Sequence, residues 1–321
     1  MALLLLLGAE LGLRAAGLRP GYAADQIGGW RALSAQDGPV QTREGGAFHL
    51  RTNASGLRTA TPPGPAPGRV RVAVLGDSVP FGWGVDEGET LTEAAAVALA
   101  AAGRADVDLI NAAQPGYSTV QATRLLGATL PAWAPELALI FLPLHDHNRV
   151  LVSDAEHLRG AMGALARLRV ALATRSRLYE GLRRLLFPLA GQPFVLADEA
   201  GAGPRVPRVS AAERADALAA AQATAAGWGG RLLIGHLPFA AELRGQWGPR
   251  EAEAETQAWA EENDAPLIDL RGCCSGEALL LPADPGHYSA AGHRAVGQAL
   301  AAALLPLLPP PAAQTPLPEP P

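Results

Sequence analysis

The sequence predicts an α/β protein in which helices cover both faces of a parallel sheet. Short apolar runs alternate with helical patterns, and parallel strands need such crossover helices between them. The apolar runs stop abruptly, as 70–75 does at Gly76-Asp77-Ser78. The 321 residues are 49% hydrophobic, which is enough for a large core. We therefore expect one three-layer α/β/α domain with about five parallel strands.

The elements follow one another from residue 70. Short apolar runs predict the strands, at 70–75, 107–111, 137–143, 231–236 and 266–270. Helical patterns predict the helices, at 90–102, at 118–130, from 210 onward and at 289–304. Thr90 with Glu93, and Ser210 with Glu213, have the spacing of a capping box, which supports two of the helix starts.

Other segments flank this core. Residues 1–20 begin with an apolar stretch shorter than the about 20 apolar residues of a spanning helix, so a truncated anchor and a short packed helix are both open. Residues 21–68 are expected to be a loop-rich lead-in, because Pro and Gly crowd their end. Residues 69–305 form the expected main domain. The Pro-rich residues 306–321 are expected to be disordered.

A long stretch, 149–209, separates the third and fourth predicted strands. It is longer than an ordinary crossover. Its first part has a helical pattern rich in Arg, Leu and Ala, and its end is rich in Gly and Pro. Long inserts are either functional or spacers. We expect an inserted cap beside the site, with a surface helical pair as the alternative.

The composition argues against some classes of function. With 26 basic and 31 acidic residues the net charge is -5, so nucleic acid is not an expected partner. Cys273 and Cys274 are adjacent and have no zinc-site spacing, so no metal and no cofactor is predicted. No basic residue precedes the first apolar stretch, which gives a signal peptide poor support. The location therefore stays open between membrane-anchored or extracytoplasmic and cytoplasmic.

Polar residues suited to nucleophilic catalysis follow the predicted strands. Ser78 ends strand one, and His287 stands three residues after Asp284 near the other end of the chain. A serine hydroxyl needs a base to take its proton, and the base needs a group that orients it. We expect Ser78, His287 and Asp284 to be nucleophile, base and orienter. The backbone N–H groups of Ser78 and Gly116 are the expected oxyanion donors.

These motifs, in this order, resemble the SGNH/GDSL hydrolase family. That family is known for a Gly-Asp-Ser block, an isolated Gly, an Asn-Asp pair and an Asp-x-x-His block. The first, second and fourth blocks correspond to 76–78, Gly116 and 284–287. The third departs, because His145-Asp146 stands where the family has Asn-Asp. The resemblance extends over residues 69–304, and 49–58 resemble the segment before the nucleophile block in membrane-anchored bacterial members.

The departure at His145 concerns the third oxyanion donor, which in the family is an asparagine side chain. A neutral imidazole has one N–H donor, so His145 is the expected replacement. Asn148, three residues on, is the alternative, and a weakened site is the remaining one. His145 and His147 could share a face of an extended segment, but no third ligand is evident, so we predict no metal site.

The resemblance implies a flavodoxin-like fold and a serine esterase that works through an acyl-enzyme. The implied partner is a small-molecule or carbohydrate ester, and a carbohydrate O-acetyl group is one candidate. An O-acyltransferase, in which a sugar hydroxyl replaces water, is the first rival. A catalytically impaired binding module is the second, and His145 is the feature that suggests it. The anchor-like pattern of residues 1–20 adds membrane association as an expectation.

Overall fold

The computed structural model describes residues 1–16, 23–25, 27–42, 46–161, 168, 172, 175–179, 181–182, 204–247 and 250–311. The strands are β1 (Ala23–Asp25), β2 (Gly29–Arg31), β3 (Asp37–Gln41), β4 (Ala47–Arg51), β5 (Val70–Leu75), β6 (Val107–Asn111), β7 (Leu137–Phe141), β8 (Arg149–Val150), β9 (Val206–Pro207), β10 (Arg231–His236), β11 (Leu267–Asp269), β12 (Leu280–Leu281) and β13 (Asp284–Tyr288). The α-helices are α1 (Ala2–Ala15), α2 (Ser78–Phe81), α3 (Leu91–Ala101), α4 (Thr119–Thr129), α5 (Asp154–Glu156), α6 (Ala211–Ala226), α7 (Ala240–Leu243), α8 (Glu251–Glu262) and α9 (Ala290–Leu304).

Five parallel strands form the central sheet, in the order β6-β5-β7-β10-β11. Counted along the chain this order is 2-1-3-4-5, the flavodoxin-like order. Successive side chains of β5 point to opposite faces. Val72 and Val74 join the apolar cluster under α3 and α9, and Ala73 and Leu75 join the one under α4 and α6. The predicted three-layer α/β/α fold is confirmed.

The sheet strands agree closely with their predicted ranges. β5, β6 and β10 have the predicted bounds, while β7 and β11 are shorter by two residues each. Thr90, Ser118 and Ser210 cap their helices through capping boxes. Helix α8 was not predicted, because its Glu-Ala alternation hides any apolar helical period.

The lead-in 21–68, which we predicted to be loop-rich, contains, in its described part, four short strands among its loops. β3 and β4 pair antiparallel as a hairpin. On β4 only the alternate residues Phe48 and Leu50 are buried. A half-buried hairpin lacks the continuous apolar run of a central strand, and its sequence therefore gives a weak signal.

The two ends of the stretch 149–209 pair with each other. β8 runs antiparallel to β9. Beside them, Arg208 Nε lies 2.8 Å from Asp154 Oδ2, and both side chains are buried. Most of residues 162–203 lie outside the described residues, so the inserted cap stays a prediction.

Helix α1 docks through one carboxylate. Glu10 accepts hydrogen bonds from Ser176 Oγ at 2.9 Å and from the backbone N–H of Arg177 and Leu178 at 2.9 and 2.8 Å. These bonds hold its pKa down at about 2 against burial, which raises it. In the described part of the chain, no helix combines the length and apolarity needed to cross a bilayer.

The packed chain continues past the predicted start of the tail. Residues Leu305–Leu307 form a 3-10 helix, and Leu308 is buried against the core. The boundary predicted at 306 is therefore early, because proline ends α9 without ending the packing. Residues 312–321 of the predicted tail lie outside the described residues.

Candidate active site

Three polar side chains from opposite ends of the chain meet at the carboxyl edge of the sheet. Ser78 Oγ lies 2.7 Å from His287 Nε2. His287 Nδ1 lies 2.6 Å from Asp284 Oδ2 on the other side of the ring. The structure thus brings together the three residues predicted as nucleophile, base and orienter, in the order that acyl transfer needs.

Ser78 is set by a sharp turn from β5 into α2. Gly76 has φ +148, and a Cβ there would come within 2.7 Å of Pro80. Asp77 then caps α2, accepting a hydrogen bond from Val79 N at 3.1 Å. The turn leaves Ser78 as the first helical residue, with 9% of its surface exposed. A glycine is needed here because a side chain would collide with the helix it introduces.

A bulge brings the histidine and the aspartate of β13 together. Tyr288 pairs with Leu280, but the next partner, Leu281, pairs with Asp284. Residues 285–287 therefore leave the ladder, and a bulge of this kind re-aims side chains. The two side chains therefore meet through an irregular strand.

The carboxylate of the triad is charged at neutral pH. Burial raises the pKa of Asp284, but the hydrogen bond and charge of His287 and the Gly286 N–H together bring it below its usual value. An ionised Asp284 fixes the tautomer with hydrogen on Nδ1, and it stabilises the imidazolium that forms when Nε2 takes a proton.

Gly116 lies in a loop that touches the nucleophile turn. The neighbouring Gln114 N donates to Gly76 O at 3.1 Å. Trp30 Nε1 donates to Pro115 O at 3.0 Å, which fixes the loop from outside. Gly116 has φ +76, a left-handed conformation that suits glycine. The loop that carries Gly116 is thereby tied to the turn that precedes Ser78.

The lead-in supplies much of the support of this loop, which the sequence did not predict. Gln114 Oε1 accepts from Ala32 N at 2.8 Å, and Gln114 Nε2 donates to Gly56 O at 3.1 Å. Tyr117 OH donates to Trp30 O at 2.5 Å. In the sequence, Gln114 and Trp30 stand out only as polar or aromatic residues in loop-like segments, and neither residue type identifies its distant partner.

Asp146 anchors the start of α4, three residues beyond Gly116. It lies in the 3-10 helix Leu144–His147 that follows β7, and it is 2% exposed. Its carboxylate accepts from Thr119 N at 3.0 Å and from Thr119 Oγ1 at 2.6 Å. Arg214 Nε also contacts it, at 3.4 Å. Burial raises the pKa of Asp146 more than these partners lower it.

His145 is half-buried at the same edge of the sheet. Burial lowers the pKa of His145, and the charges of Asp77 and Asp146 only partly oppose this. The charges of Arg208 and His287 lower it further. The imidazole is therefore neutral at pH 7, with one N–H donor, and it lies within electrostatic reach of the triad.

Asn148, the alternative third donor, ends the same 3-10 helix. Its backbone N donates to His145 O at 3.1 Å, and its carbonyl accepts from Arg208 N at 2.7 Å. These bonds fix its backbone, and the residue is half-buried. His147 is exposed, so it does not share the environment of His145.

The two cysteines are the remaining candidates for nucleophilic chemistry. Cys273 and Cys274 are free thiols. Burial and the neighbouring Cys274 raise the pKa of Cys273 to about 12, which leaves it a poor nucleophile. Across the described ranges, no group of three or more His, Cys, Asp and Glu residues could hold a metal ion.

Comparison with known proteins finds no matching family model and no matching curated protein. Among solved structures the chain is similar to TesA, at a TM-score of 0.45 and 18% identity over 74% of this chain and 99% of that one. It is similar to the lipase/acylhydrolase from Enterococcus faecalis, with a TM-score of 0.44 and 15% identity over 76% of this chain and 100% of that one. It is also similar to the acetyl xylan esterase AlAXEase, with a TM-score of 0.44 and 14% identity over 73% of this chain and 100% of that one.

Proposed function

We propose that the protein is a serine ester hydrolase that acts through an acyl-enzyme. The observation that carries the proposal is the continuous hydrogen-bonded path from Ser78 Oγ through the His287 ring to Asp284 Oδ2. It matches the roles of nucleophile, general base and orienting carboxylate. The assembled path favours an enzyme over the impaired binding module.

In the proposed mechanism, His287 Nε2 takes the hydroxyl proton as Ser78 Oγ attacks the ester carbonyl. The backbone N–H groups of Ser78 and Gly116 receive the oxyanion. The intermediate collapses when His287 returns the proton to the leaving alcohol, and the acyl group stays on Ser78. A water molecule, activated by the same histidine, then releases the carboxylic acid.

We propose His145 as the third oxyanion donor. Its neutral ring carries one N–H. It follows the carboxyl end of β7, which is next in the sheet to β5, the strand that leads into Ser78. The carboxylate of Asp146, the next residue, accepts from Thr119 and contacts Arg214, and a carboxylate has no N–H or O–H to donate to an oxyanion. Asn148 stays the alternative donor.

The proposed substrate is a carboxylic ester, with a carbohydrate O-acetyl group as the finer candidate. An acyltransferase would share every step up to the acyl-enzyme and differ only in the acceptor. Reaction of the acyl-enzyme with an added sugar, followed by detection of the acylated sugar, separates the transferase from the hydrolase. Free acid as the sole product supports hydrolysis.

Turnover of p-nitrophenyl acetate tests the proposal. We expect Ser78→Ala to abolish hydrolysis and to leave the fold unchanged by circular dichroism. Ser34→Ala, at an exposed turn, is the matched control and should hydrolyse at the parent rate. A Ser78→Ala variant as fast as the parent would place the nucleophile elsewhere.

The membrane association and location predicted from residues 1–20 stay predictions. Leu4, Leu5, Leu6 and Leu7 of α1 are each at least 53% exposed. Co-sedimentation with phosphatidylcholine vesicles tests them, with Leu5→Asp as the variant expected to weaken binding. An unbound parent chain would remove membrane association from the account.

A further inference from the structure

The two halves of an ester occupy different sides of the proposed site. The leaving oxygen must lie within reach of His287 Nε2, because that nitrogen returns the proton to it. The alcohol half of the substrate therefore lies on the histidine side of Ser78, and the acyl half extends away from it. An accessible side chain beside the histidine ring is therefore placed near the alcohol half. This inference rests on the proposed function.

Trp83 is such a side chain. Its ring centroid lies 6.5 Å from that of His287, with the two planes inclined by 44°. Its backbone N donates to Ser78 O at 3.0 Å, which ties the residue to the nucleophile turn. The residue is only half-buried, so part of its surface remains accessible beside the triad.

The indole has a fixed support behind it. The Phe48 ring packs edge-on against Trp83, with centroids 5.3 Å apart, and Phe48 is buried. The guanidinium of Arg58 lies 5.7 Å from the Phe48 ring. The same group donates to Gly82 O at 2.6 Å and to Val85 O at 2.8 Å, on either side of Trp83. Phe48 of the hairpin and Arg58, which follows it in the lead-in, thus hold the indole in place.

We propose that Trp83 is a specificity-determining residue that packs on the alcohol half of the ester and favours flat, ring-shaped alcohols. An indole held rigidly offers a broad apolar face at little conformational cost, and aromatic faces pack well on other rings. Phenols and pyranose sugars present such faces, while a methyl alcohol does not. The acyl group, on the other side of Ser78, is not selected by this residue.

Two ester series separate the halves of the substrate. One series keeps the acetyl group and varies the alcohol, as the acetate esters of methanol, phenol and methyl glucoside. The other keeps phenol and varies the acyl group as acetate and butyrate. We measure kcat/KM, which reports formation of the acyl-enzyme. We expect Trp83→Ala to lower the ratio of phenyl or glucoside acetate to methyl acetate at least tenfold, and to leave the acetate-to-butyrate ratio unchanged. Trp83→Phe should retain most of the preference.

Trp247→Ala is the matched control, because this tryptophan is 61% exposed. It should change no ratio. An equal fall for every ester in Trp83→Ala would assign Trp83 a purely structural role and overturn the inference. A changed acyl ratio with an unchanged alcohol ratio would place it on the acyl side, which also overturns it.

Equilibrium binding of phenyl acetate in the Ser78→Ala background separates this inference from the proposed function. Adding Trp83→Ala should weaken binding about tenfold. Unchanged binding overturns the inference even where the parent is an active esterase. Weakened binding in a chain whose parent hydrolyses no ester would support the role of Trp83 in binding and refute only the proposed function.

Discussion

Asp146→Asn tests whether a buried carboxylate holds the Gly116 loop in place. In the structure one oxygen of Asp146 accepts from Thr119 N, and the other accepts from Thr119 Oγ1 and contacts Arg214 Nε. An amide keeps one oxygen, and it places an NH₂ group against the hydroxyl and the guanidinium. The backbone hydrogen bond can survive, and the contact with the guanidinium cannot.

The magnitude follows from these contacts. The substitution removes a charge-assisted hydrogen bond, which contributes about 1.5–3 kcal/mol. Arg214 keeps a second partner, because its Nη1 lies 2.8 Å from Glu255 Oε2. Burial raises the pKa of Asp146, so removing its charge also relieves a desolvation cost that offsets part of the loss. We expect the free energy of unfolding to fall by about 1–2 kcal/mol.

Asp146→Asn should also lower the catalytic rate. Thr119 opens α4 three residues after Gly116, so we expect a loosened Thr119 to displace the Gly116 N–H, the proposed oxyanion donor. Because that donor acts mainly in the transition state, kcat should fall about tenfold while KM changes little.

Urea unfolding followed by circular dichroism measures the stability, and p-nitrophenyl acetate turnover measures the activity. Asp216→Asn is the matched control, because Asp216 is exposed on α6. It should match the parent in both assays. If Asp146→Asn also unfolds at the parent's urea concentration and turns over at the parent's rate, Asp146 does not position the loop.

The other predictions concern histidines and their neighbours. His145→Ala should lower kcat by about 10²-fold or more. His145→Asn should keep activity, and Asn148→Ala should leave kcat nearly unchanged. A harmless His145→Ala with a damaging Asn148→Ala would make Asn148 the donor. His287→Ala should remove most of the p-nitrophenyl acetate turnover and Asp284→Ala less, because proton transfer contributes more than orientation. An unchanged rate in His287→Ala would argue against His287 as the base. His293 is buried, which lowers its pKa to about 3. Below about pH 6.5 the unfolded chain binds a proton at this histidine and the folded chain does not. The free energy of unfolding is therefore highest above that pH and falls as the pH is lowered, by up to about 1.4 kcal/mol per pH unit. Urea unfolding at several pH values should therefore show a shallower pH dependence for His293→Gln, and an equal slope would contradict the assignment.

The sequence was most informative where burial is continuous. β5 and β10 lie in the middle of the sheet, and their near-unbroken apolar runs made their bounds predictable. The meeting of Ser78, His287 and Asp284 could be predicted because their types and order suit one chemistry. Their geometry could not, because the bulge at 285–287 depends on pairing with β12.

The support of the site was also hidden from the sequence. Trp30 and Gln114 support the site through hydrogen bonds to residues far away along the chain. Trp30 donates to Pro115 O, and Gln114 donates to Gly56 O. A residue's type reveals that it can donate or pack, and only the fold selects its partner. The aromatic support of Trp83 by Phe48 has the same origin, since it needs the hairpin to fold over the nucleophile turn.

Labelling with a fluorophosphonate tests the central claim most directly, because the reagent needs an activated serine and no knowledge of the natural ester. Intact-mass measurement of the full chain should show one adduct per chain, and peptide mapping should place it on Ser78. Ser78→Ala should show none, and His287→Ala should label far more slowly, since the hydroxyl then lacks its base. A folded parent chain that stays unlabelled, or an adduct that persists in Ser78→Ala, would contradict the account.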